Sequence, residues 1–492
     1  MKKVLVLFVL LTLVMSSVAF CASTRWNAMG GEHRFIIDTT NYTIYPGRVT
    51  MFGNALFVIP VPKSDVNESY DLQYFPDNGF VTGALLNISN MTFAIHYNLD
   101  SDGTRNLRKT LSGYSFDSAA LTEAQNDMSK ADIGSTDWVS AKKTFESLSQ
   151  KSRLFSMDVK TFPDLFWAMK MGKMSVGARL AVAMDSGSDT ANQAQEAIKS
   201  DSGAVIATDT KVGEEIATSA KSYDLLVGAT MYETPIGDLD LGLGVGLQSF
   251  SDDDPNSGLK IESTGGMDIA FNARLNKPLG KDGKFTLVPI LNVNTGSLPS
   301  AKYDIVSAPN VADTSYMKGN IGIGLREKIR EKGLVVVGVS CGYGATTSKP
   351  TTTLVTQPEQ EGGAVTRETK ELLETTDTTL SSTIVAGCEY PITKWLIIRG
   401  GANSKISMVN DEMVVQEKNE NFEAGGKTTV NSVVGAKKSN SVDFYYNMGL
   451  RTIYNGLIVD FLLARNMLHR GPYILSGAGG IWASHICVTY AF

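Results

Sequence analysis

The sequence predicts an all-β fold: a transmembrane antiparallel β-barrel of about 14–16 strands with an N-terminal hatch and a helical extracellular loop. Three observations lead to this prediction. The chain ends in a strand with one apolar face, many earlier segments alternate apolar and polar residues, and long connections alternate with short turns. A soluble β-sandwich would account for the last strand alone, but it gives no reason for every second loop to be long.

The last strand covers residues 479–492. Its apolar parity consists of Trp482, Ile486, Val488, Tyr490 and Phe492. The other parity is mostly small or polar, and this period of two is typical of a strand with unlike faces. Aromatic residues stand at both ends of the apolar face, where the two interfaces of a bilayer would lie. The terminal aromatic resembles the closing strand of bacterial outer-membrane barrels, which implies that Phe492 and Tyr490 form an assembly signal.

Residues 1–22 are predicted to be a secretory signal peptide. Two lysines precede an apolar run that is too short for a comfortable membrane helix, and small residues follow it. After cleavage, 43 of the 45 basic residues remain against 51 acidic residues. This mild acidity argues against a nucleic-acid partner. The predicted location is the cell outer membrane of a Gram-negative type of bacterium.

Residues 54–492 are predicted to form the barrel. The candidate strands are 55–61, 79–89, 91–99, 164–172, 174–185, 222–233, 238–250, 264–276, 284–296, 318–328, 334–346, 380–390, 395–407, 441–454, 457–467 and 479–492. Alternation is clearest in 238–250, where a run of glycines shares the inward parity. Asn455 and Gly456 form the dipeptide favoured by two-residue type I′ hairpins.

The connections are predicted to be alternately short and long. Short turns occur at 171–173, 234–237 and 391–394, and the long polar segments include 347–379 and 408–440, which we expect to be mobile loops. The loop 100–163 contains two predicted helices, 117–131 and 135–151, the second with Ser135 or Thr136 as its N-cap. These helices would form a lid or ligand groove over the barrel mouth, or a packed cap without a ligand.

Residues 23–53 are predicted to form an N-terminal hatch, or plug, inside the barrel. The segment is too apolar for a free tail and too irregular for a wall strand. Its candidate ligand-proximal residues are Trp26, Phe35, Tyr42, Tyr45, Pro46 and Gly47. Pro46 fixes one backbone angle and Gly47 tolerates positive φ, so the two residues favour a turn before the first strand.

Several parts of this segment resemble the hatch of the long-chain fatty-acid transporter family, a pattern shared by secretion-shuttle barrels of Bacteroidetes. The matching parts are 25–31, 36–39, 41–47 and 49–52. The chain departs from the pattern where Tyr45 replaces an Asn, Gly47 replaces an Ala and Thr39 replaces an Asp. The resemblance implies fourteen strands and a channel for passive uptake of a hydrophobic or amphipathic small solute, gated by the hatch. The alternative is a non-enzymatic barrel that binds a protein partner.

Charged residues on the inward parity identify the face that lines the lumen. They are Lys170, Arg179, Asp224, Asp240, Asp268, Arg274, Arg326, Glu389, Asp443, Arg451 and Asp460. A basic residue facing lipid at the bilayer midplane costs about 2–4 kcal/mol, which favours the inward assignment. Their mixed signs favour paired ladders that brace the wall, and a polar permeation path is the alternative.

The sequence predicts no enzyme, no cofactor and no metal site. It lacks a nucleophile elbow, a histidine cluster and a phosphate-binding glycine loop. Residues 252–254 are three aspartates that could bind Ca²⁺, although a solvated loop tip is favoured. The expected partners are outer-membrane lipid and lipopolysaccharide, the barrel-assembly machinery and a hydrophobic small-molecule solute, with the chain as a monomer.

Deleting Phe492, or replacing it with Asp, is expected to reduce the folded fraction in the outer membrane. The reason is the loss of the terminal aromatic that the assembly machinery recognises in similar barrels. Heat-modifiable gel mobility measures the folded fraction, and Phe492→Tyr serves as the control that keeps the aromatic ring. Unchanged mobility and abundance of the deletion variant would contradict the prediction.

Overall fold

The structure is a computed structural model that describes most of the chain after the predicted signal peptide. The described residues are 25, 28–29, 33–37, 39–61, 79–97, 101–114, 118–131, 134–190, 197–199, 205–208, 215–254, 259–280, 282–301, 313–329, 333–349, 353–356, 366–421, 426–463 and 483–491. The predicted signal peptide, Trp26 and Phe492 lie outside these residues.

Sixteen antiparallel strands form a closed barrel. The strands are β1 (Ala55–Val61), β2 (Gly79–Ile88), β3 (Met91–Tyr97), β4 (Asp164–Met171), β5 (Met174–Thr190), β6 (Glu215–Thr234), β7 (Gly237–Asp254), β8 (Gly266–Leu279), β9 (Phe285–Ser297), β10 (Asp313–Ile329), β11 (Gly333–Lys349), β12 (Thr366–Pro391), β13 (Leu396–Asn421), β14 (Gly426–Tyr454), β15 (Leu457–Leu463) and β16 (Ala483–Ala491). The barrel closes where β1 pairs with β16, with Ala55 opposite Ala491. The count is therefore sixteen, and β1 belongs to the wall.

Short strands supplement this wall at its rim. Lys160–Thr161, Leu259–Glu262 and Thr353–Thr356 pair with neighbouring wall strands, whereas Ala197–Lys199 and Val205–Thr208 form a separate hairpin. The two ends of the barrel differ in their connections. We call one the short-turn end, where the connections are 89–90, 172–173, 235–236, 280–284, 330–332, 392–395 and 455–456. The other is the long-loop end.

The two faces of the wall differ as the period of two predicts. On β7, Leu243, Val245 and Leu247 point outward and are 48%, 40% and 52% exposed. The glycines between them face the lumen and are buried. Similar exposed apolar residues occur on the outward face of most wall strands. An exposed apolar band of this extent is typical of a surface that meets lipid.

Strands β12, β13 and β14 are much longer than the sequence predicts. They contain 26, 26 and 29 residues, and they extend through most of 366–379, 408–421 and 426–440. The prediction of mobile loops over 347–379 and 408–440 is therefore wrong for these residues. A strand needs only about 9–11 residues to cross a bilayer. Beyond that length neither face contacts lipid, so the sequence loses the apolar alternation while the backbone ladder continues.

Three helices occupy the connection between β3 and β4: α1 (Asp102–Ser112), α2 (Ser118–Lys130) and α3 (Thr136–Ser156). The last two lie where helices were predicted. Ser135 is the N-cap of α3, and its side chain accepts a hydrogen bond from the backbone N–H of Trp138. The sequence analysis missed α1 because this short polar helix carries few apolar residues. Among the described helices, none has the length and hydrophobicity required to cross a membrane.

The turn between β14 and β15 has the backbone that its sequence favours. Asn455 and Gly456 have φ angles of 45° and 82°, which is the left-handed region required by a type I′ turn. Any residue with a Cβ is strained at this angle, and Asn tolerates it better than most. The hairpin therefore depends on both residues.

Replacing Gly456 with Val is expected to lower the free energy of unfolding by about 1–2 kcal/mol, the cost of a left-handed backbone. Denaturant unfolding in detergent micelles measures the change. Gly400→Val is the matched control, because a Cβ at Gly400 would meet no atom within 4 Å. Equal stability of the two variants would contradict the proposed role of the turn.

Candidate functional site

The N-terminal segment lies inside the barrel as a compact, buried chain. Its described residues include three short 3₁₀ helices, His33–Phe35, Thr39–Thr43 and Pro46–Met51, and residues 41–49 are buried without interruption. Pro46 starts the last of these helices, where its missing N–H leaves no hydrogen bond unmade. The side chains of Phe35, Tyr42 and Tyr45 are buried as well. We call the described residues between 25 and 53 the hatch.

The wall receives the hatch at glycine positions. A Cβ placed on Gly324 or Gly338 would lie 2.6 or 2.5 Å from ring carbons of Phe35. The ring therefore fills space that any larger wall residue would occupy. Further wall glycines leave space for hatch residues in the same way. They are Gly177 and Gly228 against Pro46, Gly242 against Ile44, Gly387 against Met29, and Gly449 against Ala28. The hatch therefore lies against glycine positions of many wall strands, where no wall side chain occupies the space.

An ion cluster centred on Asp240 joins the hatch to strands β7 and β8. Arg48 of the hatch donates from Nε and Nη2 to the two carboxylate oxygens of Asp240, at 2.6 and 2.9 Å. Arg274 donates from Nε to Asp240 Oδ2 at 2.9 Å, and all three side chains are 0% exposed. Arg274 also donates from Nη1 to Asn41 Oδ1 at 2.8 Å and to the Ile36 carbonyl at 3.1 Å. One wall arginine therefore holds both a side chain and the backbone of the hatch.

A second ion cluster joins the start of the hatch to strands β12–β15. Arg25 donates from Nε and Nη2 to the two oxygens of Glu389, both at 3.0 Å. Arg399 donates to the same carboxylate at 2.5 Å and also pairs with Asp460. Arg451 completes the chain with bonds of 2.8 and 3.0 Å to Asp460. Along this chain of ion pairs the charges alternate in sign, so each carboxylate lies between two arginines.

Two polar contacts hold the middle of the hatch. Arg34 donates from Nη1 to Asn292 Oδ1 on β9 at 2.7 Å. The Tyr42 hydroxyl is hydrogen-bonded to His96 Nε2 on β3, and its ring lies edge-on to Phe166 at 5.2 Å between ring centroids. His96 therefore lies on the inward face of β3, where it contacts the hatch.

The helix α1 enters the lumen from the long-loop end. Asp224 on β6 accepts hydrogen bonds from Ser101 Oγ at 2.5 Å and from the Gly103 N–H at 3.3 Å. Asp268 on β8 accepts from Asn106 Nδ2 at 3.0 and 3.1 Å. Two of the predicted lumen carboxylates thus bind the first turns of α1, where the helix dipole also favours negative charge.

The rest of the helical connection packs over the rim of β5–β7. The apolar cluster beneath it consists of Leu107, Leu111, Tyr114, Leu154, Val159, Ala183, Ala220, Phe250 and Ile261. Burial raises the pKa of the Tyr114 phenol, which keeps the ring neutral in this cluster. Arg153 of α3 binds Asp252 at 2.8 Å and Asp254 at 3.0 Å. The expectation that 252–254 form a solvated loop tip is therefore wrong, because these residues end β7 and hold α3.

The other predicted lumen charges have different surroundings. Arg179 pairs with Asp164 at 2.5 Å on the neighbouring strand, and Arg326 is buried on β10. Asp443 is half-buried on the inward face of β14. Lys170 is exposed near the short-turn end, with Nζ 5.8 Å from the ring centroid of Tyr232. Paired and open charges therefore coexist on the inward face.

The sequence analysis selected the aromatic residues of the hatch and missed its cations. Arg25, Arg34 and Arg48 are the side chains through which the hatch binds wall carboxylates and an amide. A usable signal existed: these three arginines lie in a segment that was assigned to a lumen containing Asp240 and Glu389. Which arginine meets which carboxylate requires the strand arrangement.

Comparisons with known proteins give no family for this chain. No protein-family model and no curated protein matches it. Among solved structures, it is similar to the FrpB iron transporter from Neisseria meningitidis (8% identity, TM-score 0.28, covering 91% of this chain and 83% of that chain). It is also similar to the ferric yersiniabactin uptake receptor FyuA from Yersinia pestis (8%, 0.30, 84% and 68%). A third similar structure is the siderophore receptor PirA from Acinetobacter baumannii (10%, 0.33, 84% and 62%).

TM-scores of this size carry no conclusion about the solute of this barrel. The comparisons also give no support to the predicted resemblance to the long-chain fatty-acid transporter family. The sixteen strands differ from the fourteen that this resemblance implied. What holds is the coarser prediction of a closed antiparallel barrel.

Replacing Gly338 with Val is expected to displace the hatch while the barrel still folds. The new side chain would overlap Phe35, and overpacking of this kind costs about 1–3 kcal/mol. Limited trypsin cleavage after Arg34 and Arg48 in the detergent-solubilised full chain measures the displacement. Gly319→Val on β10 is the control, because the nearest atom to a Cβ there is 3.9 Å away. Equal cleavage of both variants would show that the Phe35 contact does not hold the hatch.

Proposed function

We propose that this chain is an outer-membrane transport barrel whose passage is closed by the hatch and opens when the hatch is released. The observation that carries the proposal is the position of the hatch inside the wall near the short-turn end. A Cβ on Gly47 would lie 2.7 Å from the Ser175 carbonyl, and Ser175 follows the two-residue turn 172–173 closely. The exposed apolar band around the wall and the predicted signal peptide support the location.

Release is physically reasonable because the wall is complete without the hatch. Strands β1 and β16 pair with each other, so the ladder of backbone hydrogen bonds closes independently. Among the described residues between 25 and 53, the regular elements are short helices and none is a strand, and side chains make the main ties to the wall. Unseating the hatch would therefore break ion pairs and apolar contacts and leave the barrel intact.

The nature of the solute is a separate question. The sequence-based proposal of a hydrophobic or amphipathic solute depended on hatch aromatics that would line an apolar pocket. Phe35, Tyr42 and Tyr45 instead pack against the wall and are almost fully buried. We therefore propose hatch-gated passage without assigning it to an apolar solute. Passive uptake, contact of the outward band with lipid and lipopolysaccharide, and a monomeric state also belong to the proposal.

A second candidate is the partner-binding barrel, and the length of β12–β14 favours it. These strands contain more than twice the roughly 9–11 residues that cross a bilayer. The excess residues form a sheet that continues past the membrane on the long-loop side. Such a sheet offers a surface outside the membrane to another macromolecule, with the hatch serving only to seal the lumen.

Deleting residues 24–48 is expected to raise single-channel conductance sharply in planar bilayers. A barrel of about sixteen strands without a plug encloses an aqueous channel. Conductance equal to that of the full chain would contradict the gated-transport proposal and favour the partner-binding alternative.

A reversible crosslink provides the matched control. Thr50 Oγ1 of the hatch and Ser175 Oγ of β5 are 2.7 Å apart, so cysteines at both positions are close enough to form a disulfide. In a background with Cys341, Cys388 and Cys487 changed to Ser, the oxidised pair should keep an Arg48→Ala barrel closed. Reduction with dithiothreitol should then raise its conductance, whereas the single Thr50→Cys variant should not respond to reduction.

A further inference from the structure

A row of neutral polar residues crosses part of the wall and meets the hatch at one end. Residues at one level of strands β8–β14 are paired across the sheet, and all lie on the inward face: Asn272, Asn292, Asn320, Gly342, Ser381, Ser407 and Ser441. We call this set the neutral belt. It spans seven strands and contains only amides, hydroxyls and one glycine, and Asn292 of the belt binds Arg34 of the hatch.

The neutral belt borders a part of the lumen that water reaches. Lys318 lies one level above it and Lys405 one level below it, both on the inward face, and both are exposed. An inward-facing side chain is exposed only where the lumen is open beside it. The helix α1 binds at Asp224 of β6, Asp268 of β8 and Tyr316 of β10, on the long-loop side of the belt residues of β8 and β10. The lumen beside the belt is therefore open at Lys318 and Lys405 while the hatch is in place.

Hydrogen-bonding capacity remains unused in the belt and one inward level above it. The side-chain oxygens of Asn294 and Asn320 are buried and have no hydrogen-bond partner among the described residues. Asn292 donates to Asn272 Oδ1 at 2.6 Å and accepts from Arg34, which links the belt to the hatch. Buried acceptors of this kind are normally satisfied by water or by a ligand.

The chemistry of the belt selects a class of solute. An amide or hydroxyl both donates and accepts, which matches the neighbouring hydroxyls of a sugar or polyol. A hydrocarbon chain would desolvate these polar groups without replacing their hydrogen bonds. Lys405 lies directly opposite Asp443 in the register, so that level is balanced in charge.

We propose, on the basis of the proposed transport function, that the neutral belt binds a neutral hydroxyl-rich solute of the oligosaccharide class. The solute reaches the belt from the long-loop end and lies beside the hatch. The link from the belt through Asn292 to Arg34 places the bound solute next to a side chain that holds the hatch.

Saturation-transfer NMR on the full chain in a detergent without a sugar headgroup tests this proposal. The probes are raffinose, glucuronate and laurate, which represent the neutral, anionic and apolar classes. Raffinose should bind, and Asn320→Ala and Asn294→Ala should each weaken it by up to about tenfold, the effect of one lost hydrogen bond. Asn126→Ala on the exposed surface of α2 is the control and should bind as the unchanged chain does.

Each other outcome overturns the proposal. Preference for glucuronate would assign the site to an anion attracted by Lys318. Preference for laurate would assign it to an apolar solute. Absence of binding, or equal weakening by Asn126→Ala, would remove the belt as a site. Heat-modifiable gel mobility confirms that each variant is folded. None of these results depends on conductance after hatch deletion, so the belt and the hatch can fail independently.

Discussion

Asp240 is the point on which the arrangement of the lumen depends. Its carboxylate is fully buried and binds Arg48 of the hatch and Arg274 of the wall, and Arg274 lies 4.8 Å from the ring centroid of Tyr45. Taking each ion out of water costs on the order of several kcal/mol, and the pairing recovers this only with good geometry. When the hatch is absent, Asp240 and Arg274 face the lumen and remain hydrated. Seating the hatch therefore exchanges hydration for ion pairing, and the net free energy of seating is much smaller than the sum of its contacts.

The apolar contacts between the hatch and the wall supply most of the favourable free energy of seating the hatch. Phe35 and Met29 are fully buried in one cluster with Val288, Ile290 and Val336 of the wall. Burial of apolar surface contributes about 25 cal/mol per Å². Glycine weakens a strand, so a wall that places glycine under the hatch gives up some of its own stability to receive it. The ion pairs then help to determine where the hatch lies, because displacing it would separate Arg48 from Asp240 and Arg25 from Glu389.

The sequence predicted those features of the molecule that lipid constrains. Inward glycines and outward leucines alternate in β7, and Asn455–Gly456 forms the expected turn, because the bilayer and the backbone angle leave few alternatives. The prediction failed where lipid imposes no pattern, as in the projecting parts of β12–β14. It also failed for α1 and for the arginines of the hatch, since the partner of Arg48 is 192 residues away and becomes a neighbour only in the closed barrel. The family resemblance rested on about thirty residues outside the wall. It suggested fourteen strands and a hydrophobic or amphipathic solute.

The lumen consists of levels with different chemistry. Next to the hatch, Glu389, Arg399 and Asp460 form a continuous chain of paired charges, in which each carboxylate is already occupied. Toward the long-loop end, α1 binds β6, β8 and β10, and the neutral belt lines lumen that is open at Lys318 and Lys405. On the proposed route from the long-loop end, a solute would meet these neutral hydrogen-bonding groups beside the hatch. Because Arg34 binds Asn292 of that belt, a solute that competes for this amide would remove one tie of the hatch, and binding would then be coupled to release through a single side chain.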